Sequence, residues 1–224
     1  MDPAFWHQRW QQNRIGFHQE KINSRLKKYW PQLDLAKGSR VFVPLCGKSL
    51  DMMWLLQSGY HVLGVELSAQ ACADFFSENE LPFDETEVDH FRRFTFEGIE
   101  LLAGDFFDLD AGDLKSVAAV YDRAALVALP PDMRPDYVAH LAALLPVGTP
   151  LLLISMSYDE SRMQGPPFSV QDDEVQRLFA GAFDVECVGH SSGPDIVGNL
   201  GERGLETLEE RVYRITRADT RARC

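Results

Sequence analysis

The sequence predicts an α/β fold, a mostly parallel sheet with helices on both faces. Three observations carry this. The stretch Arg40-Val41-Phe42-Val43-Pro44-Leu45-Cys46-Gly47-Lys48-Ser49-Leu50-Asp51 reads as a buried strand, a tight turn and the start of a helix. Gly64-Val65-Glu66 then closes a second strand in a carboxylate. Further short Val/Leu/Ile runs alternate with helical stretches along the chain, the pattern of repeated βαβ units.

The elements follow in order. Residues 1–30 are aromatic and mixed in charge, with Phe5, Trp6, Trp10, Phe17, Tyr29 and Trp30. Ile15, Ile22, Leu26 and Tyr29 fit an amphipathic helix only loosely. Two readings stay open for this segment: an aromatic lid over a ligand, or a helix packed on the sheet edge. Residues 41–45 form the first strand, 49–58 a helix stopped by Gly59, and 61–66 the second strand. Ser68 is placed to cap a helix running through Phe76. Residues 79–98 are acidic and irregular, and Phe91, Phe94 and Phe96 suggest an extra strand pair. The third strand, 99–103, ends at Gly104-Asp105-Phe106. The fourth, 117–121, leads into Asp122-Arg123-Ala124. A helix at 133–145, a fifth strand at 151–155 and a helix from 168 to 179 follow. Two last strands, 185–189 and 211–215, flank a Gly-rich link at 190–204 that is read as carrying no substrate role. Residues 217–224 are polar and expected to fray.

Bulk properties narrow the function. The 224 residues, 45% hydrophobic, suffice for a single domain spanning 1–224. A net charge of -12 repels phosphate backbones and anionic surfaces, so neither nucleic acid nor a membrane is an expected partner. No apolar run approaches the ~18 residues of a membrane span. The first residues lack the basic flank and apolar core of a signal peptide. Cys46, Cys72, Cys187 and Cys224 are scattered without a C-x-x-C pair, which argues against a metal site and for a reducing, cytoplasmic setting. Cys46 is read first as an apolar filler and second as a reactive thiol.

The turn chemistry points to a cofactor. Glu66 sits 19 residues after Gly47, the spacing at which such folds hold a ribose diol. A dinucleotide pyrophosphate needs several glycines for close backbone approach, and Pro-Leu-Cys-Gly-Lys-Ser has one. A Walker loop is also absent, although Gly47-Lys48-Ser49 is present. S-adenosylmethionine fits: it has an adenosine to clamp, a sulfonium cation and no phosphate. Leu45, Glu66, Asp105, Asp122 and Arg123 all follow strand ends, where open α/β sheets bind ligands.

The segments RWQQNRIGFHQ, VFVPLCGKSLDMMWL, GYHVLGVELS, VYDRAALVALP, SYD and GPPF together resemble the thiopurine S-methyltransferase family, over nearly the whole chain and in its bacterial form. The resemblance implies the class I S-adenosylmethionine-dependent methyltransferase (Rossmann-like) fold, seven-stranded with a last antiparallel strand. It implies methyl transfer to the sulfur of aromatic and heterocyclic thiols such as thiopurines. It also implies possible selenium and tellurium acceptors, a detoxification role and a monomer. Trp10, Leu45, Glu66 and Arg123 match the family's cofactor-contacting positions, and Asp105 and Phe106 the segment beside the adenine. Phe17 matches the aromatic of the N-terminal cover. Asp122, His18, Tyr158 and Phe168 complete a candidate substrate pocket, with no catalytic base assigned, since an acidic heteroaromatic thiol supplies much of its own anion.

Residue chemistry supports these roles. A carboxylate at Glu66 suits ribose hydroxyls. The Trp10 indole suits a sulfonium. Asp105 is open between pairing with the adenine amino group and capping the next turn. Arg123 is open between the cofactor carboxylate and a thiolate. Two rivals remain: an NAD-dependent oxidoreductase on a similar sheet, and a binding protein that kept the fold without turnover.

Overall fold

The computed structural model describes residues 3–12, 14–15 and 18–219. Two compact units lie on either side of the Val120–Tyr121 bond.

The first unit begins with two short helices, α1 (Pro3–Gln11) and α2 (Ser24–Tyr29), in place of one loose amphipathic helix. Asn23 caps α2 by accepting from the Arg25 N–H at 2.8 Å. Strand β1 (Arg40–Val43) is followed by α3 (Asp51–Gln57), β2 (His61–Glu66) and α4 (Ala69–Glu78). Ser68 caps α4 as its position predicts, its Oγ accepting from Ala71 N–H at 3.3 Å. Then come β3 (Asp84–Val88), β4 (Phe91–Phe96), β5 (Ile99–Ala103), the short helix α5 (Ala111–Leu114) and β6 (Val117–Arg123), which runs on past Val120.

The strand order is β3-β4-β5-β2-β1-β6. Strands β5, β2, β1 and β6 pair in parallel. Their interior is apolar on both faces: Val41, Phe42, Val62, Leu63, Val65 and Leu101 are all buried. Such runs, rather than a strict alternation, are what helices on both faces require. Each such side chain contributes about 1.5–3 kcal/mol on burial.

Seven strands were expected, and nine are present among the described residues. The additional pair is β3 and β4, an antiparallel hairpin joined to β5. Phe83, Phe94 and Phe76 form a chain of ring contacts that anchors it. Its acids stay outside: Asp84, Glu85 and Glu87 are exposed, and Glu85 and Glu87 pair with Arg92.

The second unit holds the end of β6, α6 (Arg134–Leu144), β7 (Pro150–Ser157), α7 (Asp172–Phe179), β8 (Phe183–Gly193) and β9 (Leu208–Arg217). Its strands run in the order β7-β9-β8, with β9 antiparallel to both neighbours. The expected last antiparallel strand is therefore β9. Helix α7 starts later than the sequence suggested, because residues 164–170 form an irregular segment. Arg217, placed in a fraying tail by its polarity, instead ends β9. Its guanidinium donates to the carbonyls of Ala142, Ala182 and Ala218. Residues 220–224 lie outside the described part of the chain.

Candidate functional site

In the first unit the carboxyl ends of β5, β2 and β1 lie side by side, and backbone bonds tie them together. The Cys46 N–H donates to Val65 O at 2.9 Å, and the Gly104 N–H to Glu66 O at 2.9 Å. This brings the turn after β1 and the segment after β5 against the end of β2. Gly47 and Glu66, 19 residues apart, are therefore in direct contact.

Glu66 is 7% exposed. Its Oε2 accepts from the Gly47 N–H at 2.9 Å and its Oε1 from the Ser68 N–H at 3.0 Å. Burial raises its pKa above the ordinary carboxylate value, while the N–H groups of Ser68, Gly47 and Leu67 and the Trp10 indole pull it back down. The charge is held by fixed donors at the strand end.

Trp10 belongs to α1 and is 5% exposed. Its indole donates to Glu66. Its ring carbons stand 3.2 and 3.4 Å from where a Cβ on Gly47 would lie. Gly47 is thus required twice, by this close approach and by its φ of +52°. The indole covers the carboxylate and the turn together.

Leu45 is half-buried and adopts φ 47°, the left-handed region that side chains with a Cβ disfavour. Strain of this kind gathers at ligand-binding turns. Cys46 is an apolar filler: it is buried, its Sγ lies 2.7 Å from where a Cβ on Gly64 would stand, and burial pushes its thiol pKa well up. It has none of the character of a reactive thiolate.

After β5, Asp105 caps the following turn, its Oδ1 accepting from Phe107 N–H at 3.0 Å. Its Oδ2 takes no hydrogen bond among the described residues and the residue is exposed. Capping and pairing with an amino group are therefore compatible. Phe106 departs from expectation. Its ring is buried and stacked on Phe42 at 6.5 Å, so its side chain belongs to the core. Phe107 is the partly exposed ring of the pair.

His18 is half-buried, and its backbone N–H donates to Ile15 O at 2.7 Å. Phe17 lies outside the described residues.

In the second unit Asp122 and Arg123 end β6, and Ala124 follows with φ 73°. Asp122 was expected to line a substrate pocket. Its side chain is fully buried instead, accepting from Tyr137 Oη at 2.7 Å and from the N–H groups of Ala125 and Leu126 at 3.2 Å each. Burial raises its pKa from 3.8 to about 6 against these bonds. The carboxylate braces the turn after β6 and does not face solvent. Arg123 is half-buried on that turn.

Tyr158 was expected in the same pocket. It is buried, and its hydroxyl donates to Pro167 O at 2.6 Å. Burial and the nearby Glu160 raise its pKa. Phe168 is half-buried and folds back on Gly165, where an added Cβ would meet the ring at 2.3 Å. The Arg134 guanidinium lies over the same ring at 5.8 Å. Arg134 itself is 1% exposed and bonds Leu129 O and Glu174.

Sequence reasoning did not single out Arg134 or Arg203, nor the bond from Trp10 to Glu66. Most of their partners are distant along the chain, and no local pattern marks them.

Among the described residues, no cluster of His, Cys, Asp and Glu could hold a metal ion, and no helix is long and apolar enough to cross a membrane. The site instead fits the S-adenosylmethionine cofactor. Glu66 offers carboxylate oxygens for a diol, Asp105 a free acceptor and Leu45 an apolar wall, and the turn lacks the glycines of a phosphate cradle.

The thiopurine S-methyltransferase family model matches residues 1–218. A thiopurine S-methyltransferase of Pseudomonas entomophila is 49% identical over 217 residues, 97% of this chain and 100% of the relative. One from Pseudomonas putida is 50% identical over 222 residues, again 97% of this chain and 100% of the relative. Among solved structures, a Burkholderia thailandensis 1,6-didemethyltoxoflavin-N1-methyltransferase, solved with S-adenosylhomocysteine, aligns with a TM-score of 0.64. It is 17% identical and the match covers 97% of this chain and 87% of that one, a likeness of fold. A strand-end carboxylate under a tryptophan, a class I methyltransferase fold and a family match along almost the entire sequence lead to one conclusion: the chain belongs to the thiopurine S-methyltransferase family, S-adenosylmethionine-dependent enzymes that methylate sulfur.

Proposed function

We propose that this S-methyltransferase acts on aromatic and heterocyclic thiols, thiopurines among them, and extends to selenium and tellurium nucleophiles in xenobiotic or metalloid detoxification. The observation that carries the cofactor side is Glu66, a buried carboxylate held by two backbone N–H groups where a ribose diol would be read. The reading includes a single-domain, cytoplasmic monomer that takes small molecules and neither nucleic acid nor membrane.

When bound, S-adenosylmethionine supplies a methyl group on a cationic sulfur. Glu66 accepts from the ribose hydroxyls, each charge-assisted bond contributing about 1.5–3 kcal/mol. The free oxygen of Asp105 accepts from the adenine amino group. Leu45 gives the apolar wall, and Trp10 shields the carboxylate from water. Phe106 contributes backbone alone, since its ring is in the core. Arg123 offers a positive charge to a cofactor carboxylate or to the acceptor anion. Phe168 gives a flat apolar face to an aromatic acceptor.

No side chain is assigned as a base. Asp122 is buried in a structural network, and the Tyr158 hydroxyl donates to a carbonyl. A thiol that ionises near neutral pH needs neither. Positioning then carries most of the rate, as it does when reacting atoms are held about 3–3.5 Å apart.

Calorimetry with S-adenosylhomocysteine, followed by labelled methyl transfer to 6-mercaptopurine, tests this. Binding with transfer is expected. Binding without transfer would sink the thiol reading, and no binding would sink the cofactor site.

A further inference from the structure

We propose that Arg203 is a positioning residue that sets acceptor specificity by clasping the Gln164–Phe168 segment from the Gly-rich link. The inference rests on the acceptor reading given above for Phe168.

The segment Gln164-Gly165-Pro166-Pro167-Phe168 has an unusual holding problem. Pro166 and Pro167 have no N–H, so no ladder or helix can grip the backbone through donors there. At the two prolines only carbonyls are available as handles, and partners must reach them from elsewhere. Arg203 takes two: its Nη1 donates to Pro166 O at 2.8 Å and its Nη2 to Gln164 O at 2.7 Å. Tyr158 takes the third, its hydroxyl donating to Pro167 O at 2.6 Å. The N–H of Phe168 goes to Val127 O at 2.6 Å, on the turn that follows Arg123. The segment is thus hung from four points, and one side chain supplies two of them.

The link that carries Arg203 is itself anchored. Val197, Leu205 and Leu208 pack with Tyr158 and Met163 in an apolar cluster of their own. The link is therefore not a free connector, and Arg203 is delivered from a packed base. A planar guanidinium can present two donors to two carbonyls at once, which a lysine ammonium on its flexible stem does not reproduce.

The ring that this clasp places is Phe168. It lies so close over Gly165 that no Cβ fits there, and it keeps part of its face exposed. The position of that face decides how well a flat heteroaromatic acceptor stacks. It matters much less to a small aliphatic thiol. Arg203 itself touches neither acceptor nor cofactor in this account. It acts through the carbonyls of the segment.

The test uses the full chain as wild type, Arg203→Ala and Arg203→Lys. Steady-state constants are measured for 6-mercaptopurine and for 2-mercaptoethanol. S-adenosylhomocysteine affinity is read by calorimetry, and hydrogen exchange is followed in a peptide covering residues 164–168. For Arg203→Ala, loss of two charge-assisted bonds should raise KM for 6-mercaptopurine about tenfold, with kcat nearly kept. KM for 2-mercaptoethanol and cofactor affinity should stay near wild type, and exchange at Phe168 should quicken. Arg203→Lys should recover only part of the loss. Faster exchange with both KM values unchanged would overturn the specificity role and leave a brace. Unchanged exchange would overturn the clasp. A parallel loss of cofactor affinity and of both acceptors would overturn it too, as general damage. A wild-type chain that methylates neither thiol would instead refute the proposed function, an outcome distinct from a variant that matches an active wild type.

Discussion

The turn after β1 is held mostly by the sheet beside it: a strand-end carboxylate bonds the backbone of Gly47 and Ser68, and backbone bonds to the end of β2 tie Cys46 and Gly104 in place. The Gln164–Phe168 segment has almost none of this. Its two prolines remove donors, and three of its four supports come from side chains, two of them from Arg203 and one from Tyr158. The first region binds through a rigid frame made by regular structure. The second depends on a few long side chains acting as struts. Substitutions in the first should therefore act on the cofactor with the fold intact, and substitutions in the second on acceptor choice and local order.

The largest expected effect is at Glu66. Loss of two ribose bonds of about 1.5–3 kcal/mol each predicts that Glu66→Ala weakens S-adenosylhomocysteine binding by ~100-fold or more. Calorimetry showing unchanged affinity would end the ribose role and with it the contrast drawn here.

Next comes Asp122, the buried brace behind Arg123. Its folded pKa of about 6 lies above the 3.8 of the free group, so the folded chain binds the proton more tightly than the unfolded chain. Stability contributed by the protonated form is present below pH ~4 and is lost as pH rises to ~6, a swing of about 3 kcal/mol. Asp122→Asn should flatten that slope in urea unfolding measured from pH 4 to 7. An equal slope in both chains would assign the pH dependence to other groups.

A smaller loss is expected for Gly165→Ala. A Cβ there would sit 2.3 Å from the Phe168 ring, which must move. Overpacking of this kind costs about 1–3 kcal/mol. Thermal melting should drop modestly, and KM for an aromatic thiol should rise while cofactor affinity holds. A fall in cofactor affinity as well would show that the two regions are not separable.

Smallest is the Trp10 pair. Trp10→Phe keeps a ring over Gly47 but loses the bond to Glu66, whereas Trp10→Ala loses both. With ring-face attraction worth roughly 0.5–2 kcal/mol, the alanine chain should bind the cofactor several-fold more weakly than the phenylalanine chain. Equal affinities would argue against contact between the ring and the sulfonium.

Legibility in the sequence divides along the same line. Strands β1, β2 and β5 and the Ser68 cap are short-range features, written in apolar runs and turn residues, and they were readable almost to the residue. The hairpin of β3 and β4 was only suggested, because β3 is almost wholly acidic and exposed and shows no buried alternation of its own. Leu45, Glu66 and Asp105 could be set at strand ends because each ends or follows a short apolar run. Phe106 could not, since nothing local says which of two adjacent phenylalanines turns inward to stack on Phe42. Asp122 was read as a pocket residue because it follows a strand end beside Arg123, and only the position of Tyr137, 15 residues on, shows it to be a brace. Arg203 was least legible, since its two partners are carbonyls that carry no signature in the sequence.

The outermost strand of the first unit, β3, has a bearing on how the protein behaves at high concentration. A sheet margin with unpaired backbone groups invites a second chain to add a strand, the first step towards aggregation. Here that margin reads Asp-Glu-Thr-Glu-Val and presents exposed acids along almost its whole length. Two copies brought margin to margin would set carboxylate against carboxylate. The acids of β3 thus work against strand addition at this margin, and part of the chain's net charge of -12 stands there.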